Sequence, residues 1–336
     1  MLAAFTELKN AEKVKNYLIQ KKLMHLDYNP IRELDYLYFP ITKKAKVPKA
    51  KVVNTKFKFP LKQRKQTIKS LLQKKLTQKQ LTLLPRSQEI VGSIMILEVP
   101  KELEPKEKLI ADAYIKLNKN ITTVVKKSKI HSGIFRTRKV KILAGKKSKE
   151  TIHKESGVQL KLHLEKTYFS ARSGNERLRI AKQVKKGEKV LVMFSGAAPF
   201  PLVIGKHSEA KEIFGVEMNP LAHRFAVDNV ILNKLEGKVK IVEGDVRMIL
   251  PKLRKKFDRI AMPLPKTGEE FLPVALSKSK KGTIIHLYSF LSDMEIRAYT
   301  KMIKEISKNK IKVLRKVKCG QFSPSVHRVC FDLKVV

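Results

Sequence analysis

Four short segments carry residue types that could bind or transform a small polar ligand, and each lies at the end of a near-continuous apolar run. Phe194-Ser-Gly-Ala-Ala-Pro-Phe200 closes the first. Its small residues let backbone approach a ligand closely and let a helix begin there. Glu217 ends the second run and is followed by Met218-Asn219-Pro220. A carboxylate at a strand tip can accept both hydroxyls of a ribose, the geometry by which nucleoside cofactors are read; the plainer role is a helix N-terminal acid. Asp245, in Glu243-Gly244-Asp245-Val246, could accept from an adenine amino group or cap the next helix. Met262-Pro263-Leu264-Pro265 is too rigid to be an ordinary strand continuation.

The elements that must position these segments are five runs about 20 to 25 residues apart: Lys189 to Phe194, Glu212 to Met218, Lys238 to Gly244, Asp258 to Leu264 and Lys281 to Phe290. Apolar strands alternating with helices at that interval make the βαβ repeat of a doubly wound parallel sheet. In such sheets ligands sit beyond the carboxyl ends of the strands, where these segments fall. The chain ends in two alternating runs joined through Ser323-Pro324, which predicts an antiparallel hairpin added at one sheet edge.

Upstream the rhythm differs. Residues 1–62 mix short patterned runs with a basic connector from Lys43 to Lys65, a linker or an exposed strand ribbon. From Gln66 the spacing predicts one amphipathic helix ending before Pro85, then an alternating strand ending at Pro100, then a helix from Glu102. The expected divisions are 1–62, 63–150 and 151–336, two small α+β domains before a larger α/β one, which suits a length of 336 residues.

Lys and Arg outnumber Asp and Glu 73 to 30, a net charge of +43, while 43% of residues are hydrophobic. A folded protein with that charge repels itself unless a polyanion neutralises it, and a nucleic-acid backbone is the first candidate. The longest apolar stretch, Val190 to Gly205, is too short to span a bilayer and is broken by Ser195, Gly196, Pro199 and Pro201. No targeting segment is read at the start, which places the protein in the cytoplasm. Cys319 and Cys330 form no CxxC and have no paired histidines nearby, so neither a disulfide framework nor a zinc site is expected.

The order YFSARSGNERLRI, VLVMFSGAAPF, GVEMNPLAHRFAVDNVILNKL, EGDVR, DRIAMPLP and VHRVCFDLKV, preceded by RTRKVKILAG and ETIHKESG, resembles the tRNA methyltransferases acting on guanosine 37 and their wyosine-pathway relatives. The resemblance covers about Gly133 onward well and the first 130 residues loosely. It implies a Rossmann-like AdoMet-dependent catalytic domain, a small N-terminal domain that checks the tRNA outer corner, a second RNA-binding domain, and action as a monomer on the anticodon stem-loop. It places Phe194, Glu217, Met218, Asp245 and Val246 in the AdoMet pocket, with Arg177 near the methionine moiety. Glu176 matches the family's general base and Arg136 the arginine that stabilises charge developing on O6; on the residues alone, Glu176 reads as a helix-face acid paired with Arg172 or Arg179. Tyr168, Phe169, Phe200 and Pro265 are candidates to hold a base splayed from its stack.

Three departures shape the expectation. Val192 stands where the family carries Asp, and Ala197-Ala198-Pro199 replaces Val-Gly-Pro. Pro263-Leu264-Pro265 replaces Asn-Leu-Pro, removing a donor and acceptor for the guanine edge. The Pro-Leu-Pro form is similar to the archaeal branch that methylates the tricyclic wyosine precursor at C7, in some members alongside N1 of guanine. The alternatives are an aminocarboxypropyl transferase of the same pathway and a catalytically dead RNA-binding module.

Overall fold

The computed structural model describes residues 1–62, 66–85, 88–132, 137–264 and 266–336. Arg136 and Pro265 lie outside the described residues. Two compact units emerge, Met1–Thr67 and Ile68–Val336.

In the first unit, β1 (Leu2–Glu7) leads into α1 (Ala11–Gln20), followed by β2 (Ile31–Glu33), β3 (Tyr36–Pro40) and β4 (Lys51–Asn54). The strands form an antiparallel sheet in the order β2-β3-β1-β4. Val14 and Leu18, four apart on α1, bury against Ala4, Phe39 and Ile41. Phe5 stacks on Tyr38 at 5.3 Å between centroids, with Phe57 edge-on to Tyr38. Strand β4 lies inside the basic connector and pairs with β1, so part of that connector is a sheet edge.

The second unit begins with α2 (Ile68–Leu72) and α3 (Gln78–Thr82) where the periodicity predicted one helix. The break is chemical: Thr77 accepts from Gln80 N while the Gln80 side chain accepts from Thr77 N, a reciprocal cap that starts a new helix mid-pattern. The expected single strand likewise folds into a hairpin, β5 (Glu89–Val91) and β6 (Ile94–Leu97), about Gly92. Gly92 has φ +55, and a Cβ there would stand 2.2 Å from Thr151 Oγ1. After α4 (Glu107–Leu117), β7 (Thr123–Ser132) and β8 (Thr137–Gly145) complete a four-stranded sheet, β5-β6-β7-β8. The hairpin β9 (Glu150–Glu155) and β10 (Val158–His163) then packs on the turn of that sheet: Gly92 N donates to His153 Nδ1 and Ser93 N to Thr151 Oγ1.

From there the chain runs α5 (Gly174–Ala181), β11 (Lys189–Met193), α6 (Pro199–His207), β12 (Glu212–Glu217), α7 (Pro220–Leu232), β13 (Val239–Glu243), α8 (Val246–Lys252), β14 (Phe257–Met262), α9 (Leu272–Ser277), β15 (Ser279–Leu291), α10 (Glu295–Ile306), β16 (Ile311–Gln321) and β17 (His327–Val335). The seven strands order as β13-β12-β11-β14-β15-β17-β16. Five are parallel, and the β16/β17 hairpin adds antiparallel at the β15 edge, as its sequence predicts. Residues on opposite faces of β11 enter separate apolar cores, Val190 and Val192 on one side, Leu191 and Met193 on the other, which is why these strands read as continuous apolar runs. The order reverses between β11 and β14, opening a crevice at their carboxyl ends.

Candidate active site

The turn after β11 bends through Phe194, Gly196 and Ala198, all at positive φ (59°, 57° and 66°). Only glycine tolerates that region freely, so Phe194 and Ala198 store backbone strain beside the crevice. Ser195 N donates to Val216 O, and Asn229, fully buried on α7, donates to Ala197 O, which fixes the turn from two sides. Next to it Glu217 accepts from Gly196 N at 2.6 Å and from Asn219 N at 2.8 Å, one bond to each oxygen. Burial pushes its carboxyl above the ordinary value, with those two amides opposing the shift. A carboxylate oxygen has two lone pairs, so each retains one acceptor position. Asn219 caps α7 through Leu221 N and Ala222 N, with Pro220 at the first helical position.

Asp245 caps α8 through Arg247 N and is ion-paired with the Arg247 side chain at 2.5 Å. Its hydrogen bonds with Arg247 hold its carboxyl below the usual range. The capping role is therefore realised, and the ion pair is on the surface. Val246 is buried and Met218 is 38% exposed.

A cleft open at its mouth, with about 60 Å³ of enclosed space, lies beside this corner. Tyr168, Phe169, Arg177, Phe194, Ser195, Gly196, Phe200, Pro263, Tyr288 and Arg328 line it. Ser195 Oγ is buried and has no hydrogen-bond partner among the described residues. Gly215 on β12 makes room for it, since a Cβ there would sit 3.1 Å from that oxygen.

On the opposite wall, side chains hold one another. Glu176 Oε1 accepts from Tyr288 Oη at 2.7 Å and from Arg179 Nη2 at 2.8 Å, and Oε2 accepts from Arg179 Nε at 2.7 Å. Arg179 also donates to both oxygens of Asp332. Asp332 meets His286 Nδ1 at 2.7 Å, and His286 Nε2 meets Arg259 Nη1 at 2.8 Å. Because arginine can only donate, Nε2 is the acceptor and His286 is the neutral Nδ1–H tautomer. Burial drives the His286 pKa down, which agrees with that neutral form. Burial opposes charge on Asp332, but the bonds from His286 and Arg179 outweigh it and hold that carboxyl far below its usual range. His286, Cys330 and Asp332 bring their ligand-type atoms within 4.8 Å. Two guanidiniums already occupy the lone pairs that a cation would need, so the group is a hydrogen-bonded network.

The other predicted residues fall as follows. Arg177 lines the cleft, but its guanidinium is clamped by Glu155 at 2.5 Å on two nitrogens and lies over the Phe169 ring. Phe169 is buried; Tyr168 and Pro263 are partly so, and Arg172 is exposed. Val192 is fully buried in the core, with no polar contact to replace an aspartate. Glu176 is not among the residues lining the cleft; it accepts a hydrogen bond from Tyr288, which is. Tyr288, Arg328 and Asp332 escaped the sequence reading. The available signal was His286 and Tyr288 two apart, hence on one face of an otherwise apolar strand.

Comparison with known proteins places this geometry. The TRM5/TYW2 methyltransferase domain matches residues 151–314, the TYW2 N-terminal domain 68–148 and the tRNA methyltransferase 5 N-terminal domain 6–49. The tRNA (guanine(37)-N(1))-methyltransferase Trm5b of Pyrococcus abyssi is 33% identical over 99% of each chain, and its crystal structure covers 100% of this chain with a TM-score of 0.77. The chain belongs to the TRM5/TYW2 family. Two further members of that family are similar to it. The tRNA(Phe) (4-demethylwyosine(37)-C(7)) aminocarboxypropyltransferase of Pyrococcus horikoshii is 32% identical over 81% of this chain and 97% of its own. The tRNA (guanine(37)-N(1))/4-demethylwyosine(37)-methyltransferase Taw22 of Nanoarchaeum equitans is 32% identical over 66% and 89%. A complex of aTrm5 with tRNALeu covers 100% of both chains with a TM-score of 0.72 and 30% identity. AdoMet is the cofactor of this family, and the residues present fit it: Glu217 has spare acceptor capacity at the switch point, and Ser195 Oγ lacks a partner on the cleft wall. No helix among the described residues is long and apolar enough to cross a membrane.

Proposed function

We propose that this enzyme transfers a methyl group from AdoMet to position 37 of tRNA(Phe) in wyosine-derivative synthesis, at C7 of the tricyclic 4-demethylwyosine and at N1 of guanosine 37. The observation that carries the reading is the cleft between the Glu217–Gly196 corner and the Tyr288–Glu176 pair, walled by Phe194, Phe200 and Pro263. Bound AdoMet supplies an electrophilic methyl on a sulfonium. Glu217 holds the ribose hydroxyls, while Phe194, Met218 and Val246 flank the adenine, Asp245 lies at its amino edge and Arg177 beside the methionine moiety. Tyr168, Phe169, Arg172, Pro263 and Pro265 receive the target base. Pro263 offers no side-chain donor or acceptor to either base, so that wall does not select between the two nucleophiles. Each transfer needs the loss of one proton, which ends on Glu176, while Arg136 offsets charge developing on the base.

Residues 1–62 serve the outer corner of the tRNA and 63–150 contact RNA beside the catalytic domain 151–336. The enzyme acts as a cytoplasmic monomer that needs no metal. The net charge of +43 supports an RNA partner, and log affinity is expected to fall by roughly 0.7 to 0.9 per phosphate contact for each tenfold rise in salt.

The test is transfer from labelled AdoMet to two tRNA(Phe) substrates, one with guanosine 37 and one with 4-demethylwyosine, followed by nucleoside mass spectrometry. Methylated product from both is expected. Product from one alone would restrict the reading to that nucleophile, and an aminocarboxypropyl adduct would replace it.

A further inference from the structure

We propose that Tyr288 is the residue that touches the target base and relays its proton to Glu176, so that the family's carboxylate acts through a phenol in this chain. This rests on the methyl-transfer reading above. Tyr288 lines the cleft; Glu176 does not. The Glu176 side chain is 2% exposed, and both oxygens are engaged, one by Arg179 alone and one by Arg179 and Tyr288. Tyr288, itself only 2% exposed, is the member of the pair that the cleft reaches. The phenol faces the Phe200 ring at 6.1 Å, edge to face, and is held on the internal strand β15 between β14 and β17. Such placement on a rigid strand with a dry surround is what a proton relay requires.

The surrounding groups set the direction of transfer. Burial, with the negative charges of its neighbours, raises the Tyr288 pKa well above its ordinary value. The phenol thus stays protonated and its hydrogen points at Glu176. The hydrogen-bonded chain behind it runs Tyr288, Glu176, Arg179, Asp332, His286, Arg259, Glu188. It contains three carboxylates and two guanidiniums, with His286 neutral, and so carries one negative charge that a proton would cancel. Arg328 faces the same cleft from β17 while bonded to Ser173 Oγ and the Cys319 carbonyl, and the half-buried Cys319 and buried Cys330 lie near Glu176.

In the step, the bond from the methyl carbon to N1 of guanine, or to C7 of the tricyclic base, forms as the carbon–sulfur bond breaks. The N1–H or C7–H bond breaks and its proton passes to Tyr288 Oη. The original Tyr288 proton passes to Glu176 Oε1. The products are methylated base, neutral S-adenosylhomocysteine and a protonated Glu176, with Tyr288 unchanged.

The test is single-turnover methylation of tRNA(Phe) by the full chain and by Tyr288→Phe, Glu176→Gln and the double variant. Tyr288→Phe keeps the ring and its packing. A general-base step contributes typically 10² to 10⁴. Each single variant is expected to lose a rate in about that range, with S-adenosylhomocysteine affinity, tRNA KM and the melting midpoint close to the parent. The double variant is expected to lose no more than the worse single one, because two members of one relay act as a unit. A parent-like rate for Tyr288→Phe beside a crippled Glu176→Gln would place Glu176 against the base and overturn the relay while leaving methyl transfer intact. Multiplicative losses would overturn it likewise. Absence of any methylated nucleoside from the parent enzyme would instead overturn the methyl-transfer reading.

Discussion

The two walls of the catalytic cleft are built on different principles. On the wall proposed to hold the cofactor, Glu217 and Asp245 accept from backbone amides, Glu217 from Gly196 N and Asn219 N and Asp245 from Arg247 N, while Ser195 Oγ has no partner among the described residues. On the wall proposed to face the substrate, side chains from β14, β15, β17 and α5 hold one another, Tyr288 with Glu176 across 112 positions and Arg179 with Asp332 across 153. A wall made by backbone keeps acceptor positions free for a constant cofactor. A wall made by a side-chain network fixes one charge state in a dry interior, where a reacting base needs a defined partner.

This contrast is broken most severely at Asp332. Asp332→Ala leaves the partly exposed Arg179 with Glu176 alone and the fully buried His286 Nδ1–H without an acceptor. A loss of about 1–3 kcal/mol is expected, the cost of leaving the buried His286 donor unsatisfied, read as a fall in the denaturant midpoint with unchanged slope. The same network gives stability a pH dependence. His286 is neutral in the fold with its pKa lowered, so the unfolded chain binds more protons once pH drops below about 6.5, and stability then declines. Asp332 and Glu89, with lowered carboxyl pKa values, add a second decline as pH falls through and below about 4. Stability rising from pH 4 to 7 is the expected profile, and His286→Gln should flatten its upper part in thermal melts.

Glu217→Gln sharpens the comparison from the other side. The fold should survive, since an amide oxygen still accepts from a backbone N–H, while the ribose hydroxyls lose a charged acceptor. Bonds to charged groups are worth about 1.5–3 kcal/mol, or roughly 10- to 150-fold in affinity, which titration calorimetry with S-adenosylhomocysteine would read. Asp245→Ala removes a helix cap at a cost of about 1 kcal/mol. A larger loss of cofactor affinity than of stability would add the adenine contact to its capping role. The smallest effect is a gain. Ala198→Gly relieves a left-handed alanine that costs about 1–2 kcal/mol, against an entropy penalty of about 0.5–1, so a melting midpoint raised by a few degrees is expected.

The legible part of the molecule is the local part. All five parallel strands and the closing hairpin follow from apolar runs and their spacing, and Glu217 and Asp245 stand out because a strand tip and a helix start are sequence neighbours. The pairing of Glu176 with Arg179 was also legible, three apart on one helix face. The Tyr288 and Asp332 contacts were not, because no local pattern tells which of many strand residues meet after the sheet is assembled. The split into α2 and α3 was missed for a different reason. Thr77 and Gln80 continue the amphipathic period while their side chains cap a new helix, and capping outweighed periodicity.

The most direct test of the two-wall account crosses the two readouts on the two variants: S-adenosylhomocysteine affinity by calorimetry and single-turnover methylation of tRNA(Phe) at saturating AdoMet, for Glu217→Gln and Glu176→Gln. The account predicts that Glu217→Gln weakens binding yet recovers most of its rate at saturation, and that Glu176→Gln binds as the parent does and loses its rate. Loss of binding in Glu176→Gln equal to that in Glu217→Gln would contradict it, showing one undivided cofactor pocket.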